Sequence, residues 1–268
     1  MASWEFIADG PIEAEIRLPA GRVKVTATPA QTVTVSLRPE PAAGSRAAEK
    51  LIADTEVSFD GGTLTVKVPH RVHVRGDAPL DLAVELPEGS SVAVNTASAD
   101  VSCTGELGSL QGHTASGDVT ADRVGHAGFT TASGDVRLRE VTGDTLLQTA
   151  SGDAVIQRAG GDITAKTASG DLIIGRAAHS VRAQAASGDV VIDSIAAGTA
   201  DVTSVSGDVS VGVAPGIGIY LDLSSLSGRV QSELDADEQG GSRGEPGLTL
   251  RCNSVSGDIK ITRADPDR

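Results

Sequence analysis

The sequence predicts an all-β protein: a parallel β-solenoid (β-helix) of ~18-residue coils with a β-rich N-terminal cap. Two observations carry the prediction. The first is a phrase that returns on a fixed beat: Thr114-Ala115-Ser116-Gly117-Asp118, then 131–135, 149–153, 167–171, 185–189 and 204–208, with Asp-to-Asp steps of 17, 18, 18, 18 and 19 residues. A fixed short period marks a structure built by stacking one unit. The second is the alternation after each Asp. Val119, Val136, Ala154, Leu172, Val190 and Val209 follow it directly; Ala121, Leu138, Ile156, Ile174, Ile192 and Val211 come two residues later, with a freely varying position between. Apolar residues two apart describe a short strand with one buried face.

Within a coil, Ser-Gly-Asp is the turn, since Gly reaches backbone conformations that other residues resist and Ser and Asp side chains bond nearby backbone groups. Gly143-Asp144 and Gly161-Asp162 each fall nine residues from a neighbouring Ser-Gly-Asp, and Thr145 with Leu147, Ile163 with Ala165, and Val181 with Ala183 repeat the alternation. One coil therefore holds two arms, each a turn plus a strand. An arm cannot bury its inner face alone, but coils stacked ~4.8 Å apart through parallel backbone hydrogen bonds can. A string of antiparallel hairpins is the rival architecture, and it has no need of so strict a repeat.

Residues 1–88 carry strands without the beat and are predicted to form the cap. Segments 14–18 and 22–26 alternate on either side of Pro19-Ala20-Gly21, and 32–37 forms a third strand. Residues 47–54 are the one good helical octet. Segments 56–59 and 63–68 flank Asp60-Gly61-Gly62, a tight hairpin signal, and 80–86 is a further strand. A cap is needed because a bare solenoid end is an open strand edge. The repeat domain is expected over 89–264, opened by Leu86-Pro87-Glu88-Gly89, with 265–268 a frayed tail. After Asp208 the beat loosens: a strand at 219–223, a coil at 225–229 with Arg229 in the Asp slot, an exposed loop at 235–247, and 254–261 as the last coil.

Composition agrees. Aromatic residues are 2% of the 268, which suits a narrow core of Val, Ile, Leu, Ala and Thr. The net charge of −14 and the lack of a basic cluster argue against nucleic acid and against an anionic membrane surface. No basic segment followed by an apolar run opens the chain, and no stretch approaches 18 apolar residues, so a cytoplasmic protein is expected. Cys103 and Cys252 fall near opposite ends of the predicted stack. About eight rungs put them on the order of 35–40 Å apart. A disulfide reaches roughly 7 Å, so both are expected to be free thiols.

The Thr-Ala-Ser-Gly-Asp-Val phrase, opened by Leu-Pro-x-Gly and preceded by a β-rich lead, resembles the bacterial DUF4097 family of adhesin-labelled β-strand repeat proteins. The resemblance covers roughly residues 80–262 and, loosely, the lead. It implies a β-solenoid and little chemistry. Richness in Ala, Gly, Val and Arg adds a hint of a GC-rich bacterial genome.

Three candidate sites follow from the pattern. Asp118, Asp135, Asp153, Asp171, Asp189 and Asp208 are expected to line one edge ~4.8 Å apart, where neighbouring charges repel by roughly 0.9 kcal/mol in water. Turn stabilisation by Asp is the first reading, and a calcium-binding ladder the alternative. The variable position of the first strand makes a strip of Arg137, Val155, Ile173 and Val191 that turns apolar midway, a candidate partner surface. The Ser and Thr columns have no companion His column, because His113, His126 and His179 sit at different places in the beat, so no catalytic residue is assigned. The His70/His73 pair is three apart and faces opposite sides of a strand, a poor metal pair. Cofactors, metals and phosphate loops find no motif. The function expected is non-catalytic and structural: a scaffold presenting docking surfaces to an unknown protein partner. Behind it stand a self-assembling scaffold like the bactofilins, a calcium-binding module like the β-rolls, and a carbohydrate-active β-helix enzyme, whose usual loop insertions and aromatic platforms this repeat lacks.

Overall fold

The structure, a computed structural model, describes residues 1–40, 46–69, 78–234 and 247–264. The His70/His73 pair, nearly all of the 235–247 loop and the 265–268 tail lie outside the described residues. The chain forms two compact units, Met1–Asp135 and Val136–Arg268. Its fold is all-β and solenoidal, with α1 as the single helix among the described residues.

The first unit runs β1 (Ala2–Ile7), β2 (Glu13–Thr28), β3 (Thr32–Pro39), α1 (Arg46–Ala53), β4 (Glu56–Asp60), β5 (Thr63–Lys67), β6 (Leu80–Pro87), β7 (Ser91–Thr114) and β8 (Val119–Thr131). Parallel stacking starts earlier than the beat. β2 pairs in parallel with β7 from Glu13↔Ser91 to Thr26↔Thr104. On its other side β2 pairs in parallel with β5 and β6. This pairing runs across the 88/89 boundary drawn from the repeat. The two segments expected at 14–18 and 22–26 are one strand, because Pro19-Ala20-Gly21 bends without leaving the ladder: Ala20 and Gly21 stay in register with Ser98 and Ala99. β7 pairs in parallel with β8 from Val101↔Val119 to Thr114↔Thr131. Three pairings among the described residues are antiparallel. β1 joins β3, β3 joins β6, and β4 joins β5 through the Gly61-Gly62 turn. Helix α1 buries Ala48, Leu51 and Ile52.

The second unit runs β9 (Val136–Val141), β10 (Thr145–Thr149), β11 (Ala154–Ala159), β12 (Ile163–Ser169), β13 (Leu172–Ala177), β14 (Val181–Ser187), β15 (Val190–Ile195), β16 (Gly198–Ser206), β17 (Val209–Val213), β18 (Ile219–Ser225), β19 (Val230–Ser232), β20 (Leu248–Ser256) and β21 (Ile259–Arg263). All its pairings are parallel, between strands one coil apart. One ladder is β9-β11-β13-β15-β17-β21-β19. The other is β10-β12-β14-β16-β20-β18. Inward positions form columns: Leu138, Ile156, Ile174, Ile192, Val211 and Ile261 are in register and each is at most 2% exposed. Small residues keep the interior narrow, as in the column Leu147, Ala165, Ala183, Val202, Cys252 and Leu223.

The end of the stack is not in chain order. The coil 248–263, expected to be last, lies between 198–213 and 219–232, so 219–232 is the terminal coil among the described residues. The physical reason is apolarity. The inward residues Leu248, Leu250, Cys252, Ile259 and Ile261 are fully buried. The terminal coil instead puts Ser232 opposite Ile261 in the core column and leaves Val230 exposed. A coil with a serine in its core slot is poorly suited to lie between two others, where that hydroxyl would lack a partner.

Both cysteines are free and buried. Burial pushes each thiol up to about 12, with Asp122 adding to the effect at Cys103 and Asp201 at Cys252. They are thiols at neutral pH and pack as small apolar residues.

Candidate functional site

The repeated Asp is a clip between coils. In the first unit the Asp118 N–H donates to Asp100 Oδ1 (3.1 Å), and the Asp135 N–H to Asp118 Oδ1 (3.0 Å). In the second unit the same bond joins Asp171 to Asp153 (2.9 Å), Asp189 to Asp171 (2.9 Å) and Asp208 to Asp189 (2.8 Å). It continues from Asp258 to Asp208 (2.8 Å) and from the Arg229 N–H to Asp258 (2.8 Å). A return bond closes each step: the Ala154 N–H donates to the Asp171 carbonyl and the Leu172 N–H to the Asp189 carbonyl, both at 2.9 Å. The second arm has a shorter version, with Asp162 N–H on Asp144 Oδ1 and Ser180 N–H on Asp162 Oδ1, both at 3.1 Å. One oxygen of each of these carboxylates thus serves the backbone. Among the described residues no group of three or more His, Cys, Asp or Glu is placed to hold a metal ion. Asp171→Ala is expected to cost about 1.5–3 kcal/mol in chemical denaturation, the worth of a hydrogen bond to a charged group. Asp171→Asn keeps the acceptor and removes a like charge, and is expected to match or exceed the unaltered chain. A calcium-dependent rise in Tm that Asp171→Asn abolishes would return the ladder to metal binding.

The hydroxyl column closes some turns and not others. Thr114, Thr131, Thr149 and Ser225 Oγ each accept from the N–H of the Gly three residues on, all at 2.9 Å. Thr167, Ser204 and Ser254 are buried with no such partner among the described residues. There the strand runs on through the turn, and Ser169, Ser187, Ser206 and Ser256 pair across the coils instead. Neither arrangement places a base beside a hydroxyl.

The residues of the strip lie on the outer face of the first-arm ladder. Arg137, Val155, Ile173, Val191, Ser210 and Lys260 share one register line. Arg137 is exposed; Val155, Ile173 and Val191 are half-buried. Beside this line lies a groove of about 480 Å³, whose lining includes Val155, Ile173, Arg158, Arg176, Asp193 and Arg263. The groove has a local cause. β11 and β13 break their alternation after the second inward residue, so that Gln157 and Arg158, and Gly175 and Arg176, turn outward in succession before Ala159 and Ala177 return to the core. Gly175 and Gly212 then leave the face without side chains. Added Cβ atoms would meet the Gln157 carbonyl oxygen at 2.4 Å and that of Asp193 at 2.0 Å. The Arg158 guanidinium lies 4.0 Å from the Glu140 carboxylate. The arginines and the glycine hollow go beyond the sequence-derived strip, yet the signal was available: the apolar residue after Ile156, Ile174 and Ile192 comes three positions on, at Ala159, Ala177 and Ile195, not two.

Among the described residues no helix is long and apolar enough to cross a membrane. No curated protein matches the chain. Solved structures that the chain matches include a candidate adhesin from Bacteroides fragilis NCTC 9343, with a TM-score of 0.47 and 12% identity over 97% of this chain and 96% of that one. Another is a candidate lipid-binding protein from Parabacteroides distasonis ATCC 8503, with a TM-score of 0.39 and 11% identity over 98% and 96%. A third is a candidate adhesin from Parabacteroides merdae ATCC 43184, with a TM-score of 0.35 and 10% identity over 97% and 95%. The profile of the DUF4097 family, described as Toastrack, matches residues 14–262, and the chain belongs to that family.

Proposed function

We propose that the protein is a non-catalytic interaction module whose docking surface is the groove on the outer face of β11, β13, β15, β17 and β21. One observation carries this reading: Val155, Ile173 and Val191 form a half-exposed apolar line, fixed by the coil register, with Arg158 and Arg176 beside it. An apolar line flanked by guanidinium groups fits an extended protein segment that brings apolar side chains and carboxylates, since Arg binds carboxylates through paired N–H donors. The rigid ladder beneath it holds the face in shape before binding, which lowers the ordering cost of association. Two free, buried thiols fit the reducing compartment expected from the sequence.

A photo-crosslinking residue at Ile173 is expected to capture a discrete partner in the native host. The same residue at Leu146, 47% exposed on β10, is expected not to. Arg176→Glu is expected to cut the capture at position 173 roughly tenfold, the equivalent of one charged contact. Equal capture at both positions, or indifference to Arg176→Glu, overturns the assignment.

A further inference from the structure

A second candidate site lies in the first unit, on the outward face of β5, β2 and β7. Ile16, Val66 and Val94 are fully buried, so the residues after them face outward. Arg17 is in register with Lys67 on one side and Asn95 on the other. His113 follows Asn95 by one 18-residue coil, and the approach of the two coils is close: a Cβ on Gly112 would lie 2.1 Å from the Val94 carbonyl oxygen. Lys67, Arg17, Asn95 and His113 therefore form one outward line. At its end, where the strands turn, lies a pocket of about 460 Å³ lined by these four residues together with Leu18, Pro19, Val68, Thr96 and Ala97.

Charge is sorted along this face. Glu13 and Glu15 stand at the start of β2 and line a different hollow, with Ser91, Ala93 and Gln111. Arg17 stands at the pocket end. Among the described residues no carboxylate lines the pocket. That is unusual in a chain whose net charge is −14. A guanidinium, an ammonium, an imidazole and an amide thus converge beside a floor of Pro19, Leu18, Val68 and Ala97. Pro19 contributes no N–H, and the Val68 N–H is already given to the Arg17 carbonyl at 2.9 Å, so the floor is apolar in effect. A few convergent polar groups at the rim of an apolar hollow of this volume is the usual composition of a small-molecule site.

We infer that this pocket binds a small organic anion: a carboxylate or phosphate head held by Arg17, Lys67 and His113, with a short apolar body against Pro19 and Ala97. The paired donors of Arg17 suit either head, and the ammonium of Lys67 adds a point charge. The ligand is distinguished from a bare anion by its body, and from an apolar solute by its head.

The test uses the full chain and four probes: octanoate, octyl phosphate, inorganic phosphate and octanol. Backbone amide shifts are followed at Asn95, Thr96 and Ala97. Octanoate or octyl phosphate is expected to shift these amides saturably below millimolar concentration, and inorganic phosphate and octanol at least tenfold more weakly. Whichever of the two amphiphiles binds more tightly identifies the head group. Arg17→Gln and Lys67→Gln are each expected to weaken binding about tenfold, the worth of one charged hydrogen bond. Arg17 is exposed, and an unchanged Tm checks that the variants fold. The inference is overturned if no amphiphile shifts these amides, if the shifts fall elsewhere, if octanol alone does as well, or if both variants bind as the unaltered chain does.

Discussion

Gly188→Ala is expected to destabilise the second unit by about 3 kcal/mol or more, with the loss read as a fall in the denaturation midpoint at an unchanged denaturant slope. The glycine of each Ser-Gly-Asp faces the coil beneath it. A Cβ on Gly170 would fall 2.3 Å from the Gly152 carbonyl oxygen, one on Gly188 2.2 Å from that of Gly170, and one on Gly207 2.1 Å from that of Gly188. These are backbone atoms, and their separation is set by the interstrand hydrogen bonds on both sides of the turn. No side chain can swing away to make room. Gly188 adds a φ of 151°, which an L side chain rarely adopts. Strain and overpacking, each ordinarily ~1–3 kcal/mol, therefore add at one residue. Gly218→Ala is the control, since an added Cβ there meets nothing within 4 Å. Equal tolerance of both changes would mean that the coils do not stack at this distance.

Ile174→Ala is expected to cost about 2–5 kcal/mol, the range for emptying a buried aliphatic site. Its side chain is 1% exposed and sits between Ile156 and Ile192 in a single column. Neighbouring strands cannot close the gap without breaking their own register. Ile173→Ala, one residue away on the outer face, is expected to cost under about 1 kcal/mol. The contrast between adjacent isoleucines tests the parity of the strand directly. A reversed order would place the core on the other face and move the docking strip inside.

The inner columns were legible in the sequence because alternation and period act together. Val136, Ile156, Ile174 and Ile192 could be assigned to the interior from spacing alone, and the second-arm strands from Gly143-Asp144 and Gly161-Asp162. Less was legible where different sequences do the same job. β2 is a full rung of the stack, yet it has Arg22 where β7 has Asp100. That position binds its neighbours by charge, with Arg22 lying 3.6 Å from Asp81, and so carries no trace of the phrase. The converse also occurs. Thr149-Ala150-Ser151-Gly152 and Thr167-Ala168-Ser169-Gly170 are identical, but the first closes on its own hydroxyl and the second runs extended. The choice lies in pairing with the next coil, where Ser169 meets Ser187, and a tetrapeptide does not encode its neighbour. At the candidate groove the strip was visible as a variable column. The arginines beside it follow from a one-residue phase slip in each strand, which shows in the sequence only as the three-residue step from Ile156 to Ala159 and from Ile174 to Ala177.

The insertion of 248–263 beneath 219–232 bears on how such a chain is made and lengthened. Residues 219–232 leave the ribosome before the layer they must rest on exists, so they remain without a seat until β20 and β21 arrive and slide in under them. Segment 248–263 is a wedge, and its synthesis completes two layers at once. Tandem duplication could lengthen the protein between Val136 and Val213, where every layer rests on the one made before it. A copy inserted directly after Arg263 would find that place already roofed by 219–232.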